Sequence, residues 1–224
     1  MTAVAMLSMH TSPLVQPGVG DAGGMNVFVR ELGASLAQAG VSVEVFVRRD
    51  DPAVPTRVAV EPGFEVVHVD AGPPDLPKER LPTVVGEFAA AVRRELEAGP
   101  GADVLHANYW LSGVAGHQLK HELSLPRVST FHTLGRVKSA AGDAEPLSRI
   151  EAESAVIGCS DLVTASNAVE SAQLRDLYGA ARHQIELVPP GVDRAGGDLD
   201  RHLRTGHEAR EDDGPEVAAA VGRQ

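Results

Sequence analysis

Cysteine is almost missing from this chain: Cys159 is the only one in 224 residues. A single thiol excludes an internal disulfide framework and a cysteine-rich zinc centre, and it suits a reducing, cytoplasmic setting. Long apolar runs are missing as well, and nothing approaches the roughly 20 consecutive residues that span a bilayer. The opening MTAVAMLSMHTSP is apolar but short and lacks a basic leader, so it reads as a first strand rather than a signal peptide. Positive charge is scarce. Twenty Lys and Arg stand against 31 Asp and Glu, a formal net charge of -11, which argues against general binding to nucleic acid or anionic membranes. Local basic residues can still hold a small anion. The motifs of several chemistries are also missing: no GxGxxG fingerprint, no Walker loop, no GxSxG elbow and no metal triad. The nine histidines read as scattered, without ligand spacing.

Hydrophobic residues at 43% and charged residues at 23% are ordinary for a globular protein, and the length suits one α/β domain or two small ones. Strand and helix patterns alternate. AVAMLSM (3–9) is a continuous apolar run of strand length. From Gly24 to Ala39, the residues Met25, Phe28, Leu32, Leu36 and Ala39 recur at spacings of three and four, which marks a helical stripe, and Gly40 follows as a stop. VSVEVFV (41–47) and FEVVHV (64–69) read as strands. The segment 71–82 carries four prolines and reads as a loop. A helix over 83–99, a strand DVLHA (103–107), a helix over 112–123 and a strand RVSTF (127–131) follow. Residues 132–146 read as a long loop and 148–159 as a helix. DLVTA (161–165) is a strand, 166–179 a helix capped by Ser166 or Asn167, and QIELVPP the last strand. The alternation predicts a Rossmann-like α/β fold, a parallel sheet with helices on both faces, whose ligands sit beyond the carboxyl ends of the strands.

That frame gives the stretch DAGGMNVFVREL (21–32) its interest. Gly23 and Gly24 fall at the start of the first helix, where N–H groups lack intrahelical partners and the helix dipole is positive. Glycine there lets a phosphate or a sugar oxygen approach the backbone closely. A Gly-Gly pair alone more often makes a plain tight turn. Three further polar clusters fall at strand ends: His10 after the first strand, HANYW (106–110) and FHT (131–133). Taken singly, His10 and His132 are more often satisfied histidines, and Tyr109 and Trp110 more often cap a core. Lys78 and Arg149 are the basic candidates, each in isolation more commonly a solvated surface charge.

Together, SMHTSPLVQPGVGDAGGMNVFVREL, HANYWLSGVAGHQLKHELSLPRVSTFHTLGRVK and VPPGVD closely resemble the N-terminal half of glycosyltransferase family 4 enzymes, which have the two-lobed GT-B fold. The resemblance covers residues 3 to about 193 and is greatest to members that serve mycothiol biosynthesis. Those members move N-acetylglucosamine from UDP-N-acetylglucosamine onto 1D-myo-inositol 3-phosphate with retention of configuration. The resemblance implies that Asp21, Ala22, Gly23, Gly24, Met25 and Asn26 hold the inositol phosphate. It further implies that Lys78, Tyr109, Thr133 and Arg149 complete the acceptor site, Lys78 and Arg149 neutralising the phosphate. His10, Gln16 and Gly24 would touch the donor, and His132 is the catalytic candidate beside the acceptor.

The resemblance stops at VPPGVD. We expect a Rossmann-like acceptor-side domain over 1–193 and a mobile or weakly helical acidic tail over 194–224, too short for a donor-binding lobe. No cofactor or metal is expected in this half. The UDP-sugar is a substrate, and any magnesium would be held by the other lobe. A separate donor-binding domain or a second copy of the chain is the expected macromolecular partner. Two other functions stay open: a non-catalytic module that binds inositol or sugar phosphates, and an unrelated nucleotide-binding Rossmann domain such as a dehydrogenase. The missing GxGxxG counts against the last.

Overall fold

A buried strand must satisfy its backbone through its neighbours and its side chains through layers on both faces, and β1 (Ala3–Leu7) does both. It pairs in parallel with β2 (Ser42–Arg48) on one side and with β5 (Val104–Asn108) on the other. The computed structural model of the chain describes residues 1–16 and 23–191. The tail expected over 194–224 lies outside the described residues. The remaining elements are α1 (Gly24–Gln38), β3 (Arg57–Glu61), β4 (Phe64–Val69), a 3-10 turn over Lys78–Val84, α2 (Val85–Ala98), α3 (Tyr109–Leu123), β6 (Arg127–Thr130), α4 (Gly135–Ala140), α5 (Leu147–Cys159), β7 (Leu162–Ala165), α6 (Ala168–Tyr178) and β8 (Ile185–Leu187). The eight strands form one sheet in the order β3-β4-β2-β1-β5-β6-β7-β8. Every pairing is parallel except β3 with β4.

That antiparallel edge pair departs from the expected all-parallel sheet. RVAVE alternates as a half-exposed strand should, and Gly63, with φ of 85°, closes the hairpin in a conformation few other residues accept. The prolines around it hid the signal. Two expected loops also contain structure. The proline-rich segment ends in the 3-10 turn, where Pro82 fits because its fixed φ matches that geometry. The long loop after β6 contains α4.

The two faces of β1 separate the core. Ala5 and Leu7 join Phe46, Val67, Phe88, Leu105 and Leu119 under α2 and α3, whereas Met6 joins Val45, Phe64 and Val66 under α1. The deepest line of α1 is Asn26, Val29 and Gly33, one step round from the stripe expected from sequence. Met25, Phe28, Leu32 and Leu36 flank it, and Ala39 is exposed. Gly33 is the reason: a Cβ there would come within 2.9 Å of the Phe64 ring, so a residue with no side chain marks the closest approach. The same device seats α3. Cβ atoms at Gly113 and Gly116 would meet Val156 at 2.8 Å and Arg127 at 3.1 Å.

Arg127 is the unusual core residue. Fully buried, it donates to the carbonyls of Gly113 (2.9 Å) and Val156 (2.6 Å) and to Ser160 Oγ (3.1 Å). One side chain thereby joins β6 to α3 and to the end of α5. Burial pushes its pKa down to about 10, partly offset by Cys159 and Asp161, so it remains a cation at neutral pH.

Candidate functional site

The strand order places the site. From β1 the chain moves to β2 on one side, and it later returns to β5 on the other. The order therefore reverses at β1, and a crevice opens at the carboxyl ends of β1 and β5. His10 follows β1 and Tyr109 follows β5, and their rings lie 4.4 Å apart across that point. Trp110 sits edge-on to Tyr109 at 6.3 Å. Tyr109 occupies the first position of α3 with φ of 74°, and His132, just beyond β6, has φ of 61°. Two bulky residues in the left-handed region at adjacent strand ends are strained, which is the mark of a site held in shape by its surroundings.

Of the expected residues, the structure links Asn26, His132, Thr133 and Arg149 to the surroundings of this pair. Asn26 is buried and donates from Nδ2 to Thr11 Oγ1 (2.7 Å) and to the Ser12 carbonyl (2.6 Å), tying the start of α1 to the segment after β1. Phe28, a half-turn on, meets the edge of His132 at 5.0 Å. His132 Nε2 donates to Asn108 Oδ1 at 3.1 Å, which fixes the tautomer and leaves Nδ1 as the acceptor. Burial, with His106 and His10 nearby, pushes the His132 pKa down to about 3. At neutral pH it is a neutral imidazole that can accept a hydrogen bond but carries no charge.

Arg149 is only 5% exposed. Its guanidinium lies over the Tyr109 ring at 5.2 Å. It donates to Glu153 (2.8 Å), Glu145 (2.8 Å) and both the hydroxyl (3.1 Å) and carbonyl (3.2 Å) of Thr133. Burial alone would lower its pKa, but the bond to Glu153 and the charges of Glu153 and Glu145 outweigh that and raise it. Most of its donors are therefore engaged within the chain, and it fixes Tyr109 and Thr133 in place. Glu153 is fully buried and also accepts from the Gly135 N–H (2.9 Å) and the Tyr178 hydroxyl. Lys138 pairs with Glu145. The quartet of Lys138, Arg149, Glu145 and Glu153 is thus balanced in charge.

Gly23 and Gly24 answer the question their sequence poses. Gly23, the residue before α1, is extended (φ -142°, ψ -153°), and among the described residues no side chain caps the helix. Neither glycine has a positive φ, and a Cβ on either meets no described atom within 4 Å. Among the described residues, then, nothing in the backbone or the packing demands glycine at either position. By contrast, α6 seals its own start: Asn167 accepts from the Glu170 N–H (2.9 Å), and Glu170 accepts from the Ser166 N–H (2.8 Å). Lys78 is exposed at the same edge, beyond β4 and two strands from β1. Gln16 is exposed in the segment after β1. Asp21 and Ala22 lie outside the described residues.

Sequence reasoning missed Asn108, Phe28, Glu145, Glu153 and Lys138. Asn108 is fully buried, and its Nδ2 has no hydrogen-bond partner among the described residues; Asn26 Oδ1 is in the same position. An open groove of about 440 Å³ runs from His132 and Thr133 past Lys138 to Ser166 and Glu170. The expected carboxyl-edge placement of ligands could have flagged Ser166 and Glu170. Nothing in the sequence marks the buried carboxylates.

A mostly parallel sheet with a reversal at its centre, a glycine helix start and strained polar strand ends define a Rossmann-like lobe with a candidate site at its carboxyl edge. Comparison with known proteins narrows the class. Residues 22–195 match Glycosyltransferase Family 4, and the chain belongs to that family. It is 49% identical over 197 residues to a D-inositol 3-phosphate glycosyltransferase of Xylanimonas cellulosilytica, a match covering 85% of this chain and 47% of that protein. It is 44% identical over 227 residues to D-inositol 3-phosphate glycosyltransferase 2 of Catenulispora acidiphila, covering 97% and 52%. Among solved structures, the sucrose-phosphate synthase of Thermosynechococcus elongatus superposes with a TM-score of 0.82 at 31% identity, covering 91% of this chain and 53% of that one. The chain spans about half the length of the relatives it matches.

Proposed function

We propose that this domain binds the phosphorylated polyol acceptor of a glycosyltransferase, and that the acceptor's phosphate rests against the start of α1. The observation that carries this reading is the pair of glycines for which the described fold gives no internal reason, at the start of a 15-residue helix that no described side chain caps. Such a helix start offers N–H groups and a positive dipole to an anion, and glycine lets the anion close to hydrogen-bond distance. The relatives' names support the ligand class, since both name inositol 3-phosphate and the solved neighbour is named for a sugar phosphate.

The residue roles follow from the geometry and from the family resemblance. Because the Lys138–Glu145–Arg149–Glu153 quartet is balanced, phosphate affinity rests on the N–H groups of Gly23, Gly24 and Met25 at the start of α1, the Asn26 N–H being taken by the Gly23 carbonyl, together with Lys78. Arg149 acts by holding Thr133 and Tyr109, whose hydroxyls meet the polyol. His132, neutral, accepts a hydrogen bond from a sugar hydroxyl through Nδ1, and His10, Gln16 and Gly24 face the donor. The donor is UDP-N-acetylglucosamine and the acceptor 1D-myo-inositol 3-phosphate, as in mycothiol biosynthesis. The sugar's bond to the UDP phosphate breaks, a glycosidic bond forms with retention, and UDP leaves with the acceptor proton released. The catalysis proposed is alignment of the two substrates and electrostatic stabilisation of the departing phosphate, with no cofactor in this domain. A separate domain or a second copy would grip the UDP, and the setting is cytoplasmic.

Titration calorimetry with 1D-myo-inositol 3-phosphate tests the binding step. Wild type should bind and Lys78→Ala should bind at least tenfold more weakly, the loss of about 1.5–3 kcal/mol for a hydrogen bond to a charged group. Equal affinity for inositol and inositol 3-phosphate would refute the phosphate site.

A further inference from the structure

At the opposite end of the parallel strands, α3 and α5 bring together three side chains the proposed function does not use. His117 and His121 lie one turn apart on α3, their rings 4.9 Å between centroids. Cys159, the last residue of α5, places Sγ 3.3 Å from His121 Nε2. One ligand atom from each of the three lies within 4.8 Å of the others, the one such grouping of three among the described residues. His117 Nδ1 is buried with no hydrogen-bond partner among the described residues. Beside the cluster, an open hollow of about 370 Å³ is lined by Lys120, His121, Leu125 and Asp161. The local positive charge is offset: Lys120 is paired with Asp161 at 2.6 Å and donates to the Cys159 carbonyl at 2.9 Å.

We propose that His117, His121 and Cys159 form a binding site for a divalent transition ion of the zinc class. Two imidazoles and a thiolate suit such an ion and disfavour magnesium or calcium, which take oxygen ligands. Zn–N bonds of about 2.0 Å and Zn–S bonds of about 2.3 Å hold tetrahedral ligand atoms about 3.3–3.6 Å apart. The Cys159–His121 pair already has that spacing, and a His117 ligand atom lies within 4.8 Å of both. Three protein ligands leave the fourth position to solvent from the hollow. The ion would bridge α3 to α5, whose other ends carry Tyr109 and Arg149. Reading the histidines as lacking ligand spacing overlooked HQLKH, an i, i+4 pair on one helix face. The third ligand lies 38 residues further on, beyond any local motif.

The test uses the reduced full chain and Co²⁺ as a spectroscopic substitute for Zn²⁺. Stoichiometric Co²⁺ should produce sulfur-to-cobalt charge-transfer absorption and four-coordinate ligand-field bands, both displaced by Zn²⁺. Cys159→Ser should abolish the charge-transfer band. His121→Ala should weaken binding by more than the ~10–100-fold that outer-shell partners are worth. Zn²⁺ should slow alkylation of Cys159 and raise the melting temperature of wild type, and it should do neither in His121→Ala. Both substitutions fall on partly or fully exposed residues, and circular dichroism checks that each variant is folded. Absence of a charge-transfer band in wild type, or equal metal affinity in wild type and both folded variants, overturns the proposal.

Discussion

Replacing Gly24 by alanine should make the protein more stable and a worse binder at once. Gly24 is the first residue of α1, and a Cβ there meets no described atom within 4 Å. Alanine therefore fits without strain. It restricts the unfolded chain and favours the helix, a gain of about 0.4–1 kcal/mol, or roughly 1–4 °C in melting temperature for a domain of this size. The new methyl group projects into the space in front of the helix start. If the acceptor phosphate rests there, the methyl holds it away from the backbone N–H groups. Losing one charge-assisted hydrogen bond removes about 1.5–3 kcal/mol, a roughly 10- to 100-fold rise in Kd for 1D-myo-inositol 3-phosphate. Calorimetric titration and scanning calorimetry on the same preparation read both quantities. A melting temperature that rises with Kd unchanged would refute the placement of the ligand. A melting temperature that falls would refute the claim that the fold itself has no need of glycine. Gly23→Ser gives a second arm, because a serine at the cap position satisfies the same N–H groups from within and competes with the anion.

Stability should fall on acidification before the carboxylates titrate. His106 and His132 are held at about 4 and about 3, chiefly by burial, whereas the unfolded chain protonates near 6.5. The unfolded state alone takes up these protons below pH 6.5, so stability present above that pH is lost as pH falls toward 4. The slope approaches ~3 kcal/mol per pH unit for the pair. Urea unfolding at pH 7, 6 and 5 reads it, His106→Gln with His132→Gln should flatten it, and equal wild-type stability at pH 7 and pH 5 would contradict it. Gly113→Ala should destabilise by about 1–3 kcal/mol because its methyl group would sit 2.8 Å from Val156, whereas Gly158→Ala, with nothing within 4 Å, should be neutral or stabilising. Similar melting temperatures for the two would show that α3 and α5 have more slack than the structure gives them. Glu153→Ala leaves the Gly135 N–H, Arg149 and Tyr178 without their shared acceptor and should cost about 3–5 kcal/mol. A loss under 1 kcal/mol would mean that water replaces the carboxylate.

The parallel strands and their crossover helices were legible because each has its own local pattern: apolar runs for strands buried on both faces, periodic stripes for helices, and stops at Gly40 and Gly99. β3 was not, since an edge strand needs only a weak alternation and its surrounding prolines argued for loop. The face of α1 was misread for a related reason. The deepest position, Gly33, contributes no hydrophobicity, so the stripe shifted onto its flanks. At the candidate site, the strand-end positions of His10, Tyr109 and His132 could be read from sequence, although taken singly each had an ordinary reading. Their partners could not. Asn108 and Glu153 act through contacts made by chain segments 24 and 18 residues apart in sequence, and a buried acid in a helix carries no sequence mark that separates it from a solvated one.

The contrast between α1 and α6 bears most directly on function. Both helices begin at the carboxyl edge of the sheet, both follow a strand end, and both have N–H groups to satisfy. α6 satisfies its own with Asn167 and Glu170, and the carboxylate brought to that start also repels an incoming anion. α1 has no acidic residue in its first turn and, among the described residues, no capping side chain, while Asn26 and Phe28 tie it to Thr11 and His132. A helix start with no capping partner among the described residues offers its first N–H groups to water or a ligand. Because the neighbouring Arg149 is already neutralised by its own carboxylates, the phosphate binding we propose would draw on backbone geometry more than on Arg149's charge. Binding should therefore depend less steeply on salt than at a site built from several free arginines.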